Sequence, residues 1–339
     1  MKKRFNILAP MLLIPALGLT ACAGSGDPAG AADVSETKTL TVYTSEPQAK
    51  IDQIVEAFEK ANDGTNVEVF RAATGELKTR IATEKQSGKI SADVILAADV
   101  PTFETYAAEG TLAKLDISNA AELDKKFVDE EGFWVGTRII PTIIAYNTGA
   151  FTEGPASWAA LTEETYKGKI AMPNPDVSGA AAFNTAVWFQ EAGLGQNWLE
   201  KLVANEPTVL ESNGPVGQAV AEGSSEVGIV VDYVARELAA KGSPIAVGYP
   251  SDGVPYVSQP AGVFADSQNQ ELANDFVDFL VSKEGQELAV EQSYLPVRED
   301  AGVPEGAPAL SEINLLDPDQ EKIAAGQTEA VDFFNSLLK

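Results

Sequence analysis

The sequence predicts an α/β protein of two lobes, each built on a mixed, mostly parallel sheet, with two long strands crossing between them. Three observations carry that prediction. Short β-rich runs alternate with helical periodicities in two successive series, the pattern of open, mostly parallel sheets. About 300 residues of ordinary globular composition, 45% apolar and 22% charged, exceed one typical domain. Two long β-rich segments, Val135 to Tyr146 and Pro255 to Phe264, stand where the chain would leave the first lobe and return to it.

In chain order, residues 1–21 read as a signal peptide. Lys2, Lys3 and Arg4 precede an apolar run, Ile7 through Leu19, interrupted by Pro10, Pro15 and Gly18. That run falls short of the roughly 20 apolar residues a spanning helix needs, so it is expected to be processed rather than to anchor. Its end, Leu19-Thr20-Ala21-Cys22, resembles the bacterial lipobox, which implies cleavage before Cys22 and a lipid on its thiol. Cys22 is the only cysteine, so it has no partner for an internal disulfide or a Cys-x-x-Cys site. Residues 22–38 carry no apolar periodicity and are expected to form a flexible tether.

The first lobe is expected over residues 39–142 plus 263–339. It opens with a strand at Leu40–Tyr43. The helix that follows, Pro47 to Ala61, places Ile51, Ile54, Val55 and Phe58 at i, i+3, i+4 and i+7, one buried face. A strand at Val67–Phe70, a helix from Glu76 to Gln86, a strand at Asp93–Ala97 and a helix from Thr102 to Glu109 continue the alternation. The second lobe, 143–262, has strands at Ile170–Met172, Val209–Leu210 and Val227–Val231. Its helices carry Phe183, Val187 and Trp188, then Trp198, Leu199 and Leu202, then Val216, Ala219 and Val220. Helices Glu271–Val281 and Gln320–Leu338 close the chain and can pack on either lobe.

Composition excludes several chemistries. There is no histidine, which removes Ser-His-Asp and Cys-His nucleophiles and His-containing zinc sites. Neither G-x-G-x-x-G nor G-x-x-x-x-G-K-[ST] occurs, so no dinucleotide or Walker cradle and no cofactor are expected. The formal charge is −26, and without Lys2, Lys3 and Arg4 the chain holds 21 basic against 50 acidic residues, or −29. Such a surface repels nucleic acid and anionic lipid, so any membrane link rests on the lipid. A carboxylate pair such as Glu76 with Asp232 would suit a glycosidase only at a defined separation. No clustered sugar-stacking aromatics accompany it, and no enzyme activity is expected.

Two α/β lobes joined by crossing strands form a clamp that closes on a solute. In open sheets, ligands lie beyond the carboxyl ends of strands, where the next helices offer free N–H groups. That rule selects Ser45 and Glu46 after the first strand, Thr74, Gly75 and Glu76 after the second, and Asp99 after the third. In the second lobe it selects Ser178, Gly179, Ala180, Asn213, Gly214, Asp232 and Tyr233, with Tyr146 ending the first crossing strand. Each turn alone also fits plain helix capping.

The stretches Leu40-Thr41-Val42-Tyr43-Thr44-Ser45, Ala92-Asp93-Val94-Ile95-Leu96, Ile144-Ala145-Tyr146-Asn147, Tyr166-Lys167-Gly168-Lys169-Ile170-Ala171-Met172-Pro173, Phe276-Val277-Asp278-Phe279-Leu280 and Ser282-Lys283-Glu284-Gly285-Gln286 resemble the extracellular solute-binding proteins of ABC importers. They are most similar to the ferric-iron-type branch, which also holds phosphonate and sugar-phosphate binders. The resemblance runs from about residue 39 to 339. It implies the type II periplasmic-binding fold; with the lipid expected on Cys22, the protein is expected to be a monomer anchored outside the cytoplasmic membrane. It also implies a small-molecule or ion solute, handed to a permease driven by a separate ATPase.

For the ligand, the resemblance carries over only in part. The first-loop ligand of ferric members falls near Pro47, their carboxylate near Ala98 with Asp99 beside it, and their tyrosine pair on Asp232-Tyr233, while the expected arginine is Thr142. Ferric iron wants several oxygen ligands, preferably anionic, for which Tyr146, Tyr233 and Asp232 are the candidates. The competing reading is a small organic oxyanion, a phosphonate or sugar phosphate. Helix N-termini at Thr74, Ser178 and Asn213 would hold the oxyanion, and Asp232 and Glu76 any ammonium or hydroxyls.

Overall fold

The computed structural model describes residues 37–339 apart from 192 and 317. The expected signal peptide, the lipidation site Cys22 and all but the last two tether residues therefore lie outside the described residues. Residues Thr37–Lys339 hold together as one compact unit.

Strand β1 (Lys38–Thr44) starts two residues before the apolar run because Lys38 and Thr39 already pair with Thr65 and Asn66 of β2 (Thr65–Arg71). Between them runs α1 (Gln48–Ala61), which buries Ile51, Ile54 and Phe58 as its periodicity predicts. Then come α2 (Thr74–Ser87), β3 (Val94–Leu96), α3 (Val100–Ala108) and the short β4 (Val135–Gly136). The second half comprises β5 (Ile140–Asn147), β6 (Ile170–Pro173), α4 (Gly179–Gln190), α5 (Gly195–Ala204), β7 (Thr208–Leu210), α6 (Asn213–Glu222), β8 (Val227–Val231), α7 (Asp232–Ala240), β9 (Ile245–Gly248) and β10 (Tyr256–Val257). Strand β11 (Pro260–Val263) returns to the first sheet, followed by α8 (Gln270–Val281), α9 (Lys283–Glu291) and α10 (Gln320–Leu337).

The first sheet has the order β2-β1-β3-β11-β4 and the second β10-β5-β8-β6-β7, with β9 on β5. Strands β1, β2 and β3 are parallel, as are β6, β7 and β8, while β5 and β11 run antiparallel to their neighbours, so both sheets are mixed. Helix α7 and strand β9 are additions to the expected elements: the apolar run of β8 passes into a helix with no intervening turn.

Each of the two long β-rich segments breaks in the middle. Residues 135–136 stay in the first sheet and 140–147 in the second, and 256–257 and 260–263 divide likewise. At the breaks the backbone N–H groups of Thr137 and Arg138 both donate to the Ser258 carbonyl. Gln259 there takes φ +37°, a conformation non-glycine residues rarely adopt. The sheets thus change hands at 137–139 and 258–259.

Each half has its own apolar core. In the first, Phe58 of α1 meets Phe276 of α8 edge-on at 5.0 Å. In the second, Trp188 lies 4.9 Å from Trp158 and 5.4 Å from Trp198, and burying each such side chain is worth about 1.5–3 kcal/mol. Helix α10 packs on both halves: Gln327 Nε2 donates to Asp99 at 3.0 Å, and Gln190 Nε2 of α4 donates to the Lys322 carbonyl at 2.9 Å.

Candidate functional site

The exits of β1, β2 and β3 face those of β6, β7 and β8 across a cavity of about 440 Å³, within the range of small-molecule sites. The exits themselves are built by local hydrogen bonds. Thr44 Oγ1 donates to the Leu96 carbonyl at 2.9 Å and accepts from the Glu46 N–H at 3.0 Å, fixing the turn out of β1 against β3. Across the cavity, Ser178 Oγ caps α4 by accepting from the Ala181 N–H at 3.3 Å, and it also accepts from Asn213 Nδ2 at 3.2 Å. Asn213 Oδ1 in turn accepts from the Val231 N–H, tying the exits of β6, β7 and β8 together.

The N-termini of α1, α2, α4 and α6 converge on this space. No side chain caps α1, α2 or α6, and α1, α4 and α6 carry no acidic residue in the first turn. In a chain with 50 acidic residues, three helices leave their positive ends uncompensated where they point at the cavity. The lining holds three basic side chains, Lys50, Arg71 and Lys241, against two acidic ones, Glu46 and Glu237. The lining therefore carries a small excess of basic side chains in a chain that is acidic overall.

Glu46 is 1% exposed. Its carboxylate lies 3.2 Å from Arg138 Nη1 and accepts from Gln259 Nε2 at 2.6 Å and from the Tyr294 hydroxyl at 2.5 Å. Arg138 and Gln259 belong to the two crossing segments, so this ion pair anchors the floor of the cavity to both. Nearby, Lys50 Nζ sits 2.7 Å from Glu237 Oε1, donates to the Gln292 carbonyl, and lies 4.0 Å from the ring centroids of both Tyr233 and Tyr294. Those rings stand edge-on, 4.6 Å apart. Burial lowers the Lys50 ammonium, with Glu237 pulling the other way. Burial and the Glu46 charge raise both phenols above the usual tyrosine range.

Nine of the fourteen candidate residues line the cavity: Ser45, Glu46, Thr74, Ser178, Gly179, Ala180, Asn213, Gly214 and Tyr233. The other five do not. Gly75 touches the opposite half instead: its N–H donates to the Val177 carbonyl at 3.4 Å, and a Cβ there would stand 2.3 Å from the Asp176 carbonyl oxygen. Gly179 is equally tight, since its Cβ would lie 2.6 Å from the Ala98 carbonyl oxygen. Glu76 is exposed on α2. Asp99, fully buried, accepts from Thr102, Lys78 and Gln327 and thereby joins α3 to α10. Tyr146 lies with its ring over Gly154, where a Cβ would come within 2.2 Å. Asp232 turns away with the first turn of α7. It accepts from Arg236 at 3.0 Å and the Tyr249 hydroxyl at 3.2 Å, and burial raises its carboxyl against the pull of Arg236.

The set Tyr146, Tyr233 and Asp232 is therefore not gathered: of the three, Tyr233 alone lines the cavity. Among the described residues no group of three or more His, Cys, Asp or Glu is placed to hold a metal. The strand-exit rule passes over Pro47, Lys50, Arg71, Gln218, Glu237, Lys241, Gln259 and Tyr294, all of which line the cavity. Lys50 does carry a signal, being a cation in the first turn of a helix, where the macrodipole disfavours it. Gln259 and Tyr294 carry none, because long-range folding brings them there.

Comparison with known proteins shows the family and the fold. Residues 89–324 match the profile of the family described as bacterial extracellular solute-binding protein. The Fe(3+)-binding periplasmic protein of Serratia marcescens is 24% identical over 297 residues, 85% of either chain. A putative 2-aminoethylphosphonate-binding periplasmic protein of Salmonella typhimurium is 26% identical over 264 residues, 72% of this chain and 73% of that one. The structure of the periplasmic binding protein AfuA from Actinobacillus pleuropneumoniae, with fructose-6-phosphate bound, has the same fold, with a TM-score of 0.79 and 23% identity. It covers 89% of this chain and 97% of that one.

Proposed function

The chain belongs to the bacterial extracellular solute-binding protein family, and from that premise we propose that it captures a small organic oxyanion, a phosphonate or a sugar phosphate, and delivers it to an ABC permease. The observation that carries this reading is the inversion of charge at the cavity. A strongly acidic chain turns the N-termini of four helices and an excess of basic side chains toward one space of about 440 Å³. Backbone N–H groups at helix N-termini, with Ser45, Thr74, Ser178 and Asn213 beside them, suit a tetrahedral oxyanion. Ferric iron fits less well. Glu46 is committed to Arg138, Gln259 and Tyr294, and of the candidate ligands Tyr146, Tyr233 and Asp232 only Tyr233 lines the cavity.

A thermal-shift screen of residues 37–339 against alkylphosphonates, 2-aminoethylphosphonate, hexose phosphates and Fe³⁺ with and without carbonate tests the reading. An oxyanion at a hundred times its Kd stabilises by about 2.7 kcal/mol and raises Tm accordingly. A shift with iron alone, with a visible tyrosinate band that Tyr233→Phe removes, overturns it. In the cell, Cys22 carries a lipid that moors the monomer to the outer face of the cytoplasmic membrane beside its permease. A Cys22→Ser chain that still fractionates with membranes overturns that anchor.

A further inference from the structure

A solute that carries an ammonium as well as an oxyanion needs a second seat, and the protein has already filled it. Glu237 supplies a carboxylate 2.7 Å from Lys50 Nζ, Gln292 a backbone carbonyl, and Tyr233 and Tyr294 two ring faces, each 4.0 Å from that nitrogen. One anion, one carbonyl acceptor and two π-faces around a single nitrogen make a site for a primary ammonium. Lys50, Glu237, Tyr233 and Tyr294 all line the cavity, so the seat opens onto the space where the helix N-termini converge. Elsewhere in the lining, Glu46 has both oxygens occupied, by Tyr294 on one and Arg138 and Gln259 on the other. Among the described residues no other carboxylate lines the cavity.

We propose that Lys50 sets the charge class of the solute: the clamp accepts oxyanions without an amino group, such as alkylphosphonates and sugar phosphates, and rejects their amine-bearing counterparts. This rests on the oxyanion reading above. A ligand ammonium would have to expel a tethered side chain that already satisfies the seat, or lie beside it as a like charge. An oxyanion at the helix N-termini meets the same Lys50 as a favourable neighbour.

Matched pairs differing by one amine make the test: ethylphosphonate against 2-aminoethylphosphonate, and glucose 6-phosphate against glucosamine 6-phosphate, by calorimetry. The wild-type protein is expected to bind the amine-free member of a pair at least tenfold more tightly. Lys50→Met, which opens the seat, reverses that order, and Lys50→Arg keeps it. A wild-type preference for the amine-bearing member, or an unchanged ratio in Lys50→Met, overturns the proposal. A second arm needs no oxyanion: millimolar ethylammonium should stabilise Lys50→Gly, leave the wild type unmoved, and lose its effect when Glu237→Gln is added. If no oxyanion binds but ethylammonium stabilises Lys50→Gly, the oxyanion reading falls and the occupied seat stands. If ethylammonium does nothing to Lys50→Gly, the seat falls.

Discussion

The exits of β1 and β8 each place a carboxylate within two residues of the strand's end, and although both carboxylates are 1% exposed they are used in different ways. Glu46 follows β1 through a turn and faces the cavity, where Arg138, Gln259 and Tyr294 take up its oxygens. Asp232 follows β8 directly into α7, and the first turn of that helix carries it behind the wall to Arg236 and Tyr249. Neither carboxylate is left to meet a solute: each braces a junction. The difference lies in what each brace joins. Glu46 binds the cavity floor to both crossing segments, whereas Asp232 ties the first turn of α7 to Arg236 on the same helix and to Tyr249 just past β9.

Removing the two carboxylates separates these roles most sharply. Glu46→Ala leaves Arg138 buried without its counter-charge, and urea denaturation should show a loss of about 3–5 kcal/mol. Asp232→Asn should cost less, about 2 kcal/mol, because Arg236 Nη2 keeps the Ser293 carbonyl. It should also leave solute affinity within a factor of about two. Equal losses, or a larger loss from Asp232→Asn, would break the comparison. A smaller effect sharpens it from the opposite face of the cavity. Gly75→Ala puts a methyl group 2.3 Å from the Asp176 carbonyl oxygen, so the halves must part slightly. We expect stability within about 1 kcal/mol of wild type and solute affinity reduced about tenfold, the equivalent of about 1.4 kcal/mol. Calorimetry showing unchanged affinity would mean that contact between the halves at Gly75 contributes nothing to capture.

Much of the fold is legible because its signals are local. Ile51, Ile54 and Phe58 recur at helical spacing and are buried together on α1, and Val227–Val231 is an apolar run bounded as predicted. The crossing segments are less legible. Val135 to Tyr146 looks like one strand, yet it divides at Thr137 because Ser258 draws the backbone N–H groups of Thr137 and Arg138. Those bonds join residues 121 and 120 positions apart, and no window of sequence contains both ends.

The site divides in the same way. Strand exits and helix starts can be read from periodicity, and this places Ser45, Thr74, Ser178 and Asn213 near a common space. Which way a side chain faces at an exit cannot be read so, since Glu46 and Asp232 are indistinguishable until the turn or the helix rotates them. The absence of acids from the first turns of α1, α4 and α6, and Lys50 in the first turn of α1, were visible signs of an anion-attracting cavity. Taken alone, then, the sequence determined the alternating α/β pattern, the acidic surface and the turns that approach the solute, because each depends on residues a few positions apart. Only the tertiary structure decided that Arg138, Gln259 and Tyr294 close over Glu46, and that Glu237 holds Lys50. Those contacts join residues from 92 to 248 positions apart, and their energy exists only once both halves have folded around the cavity.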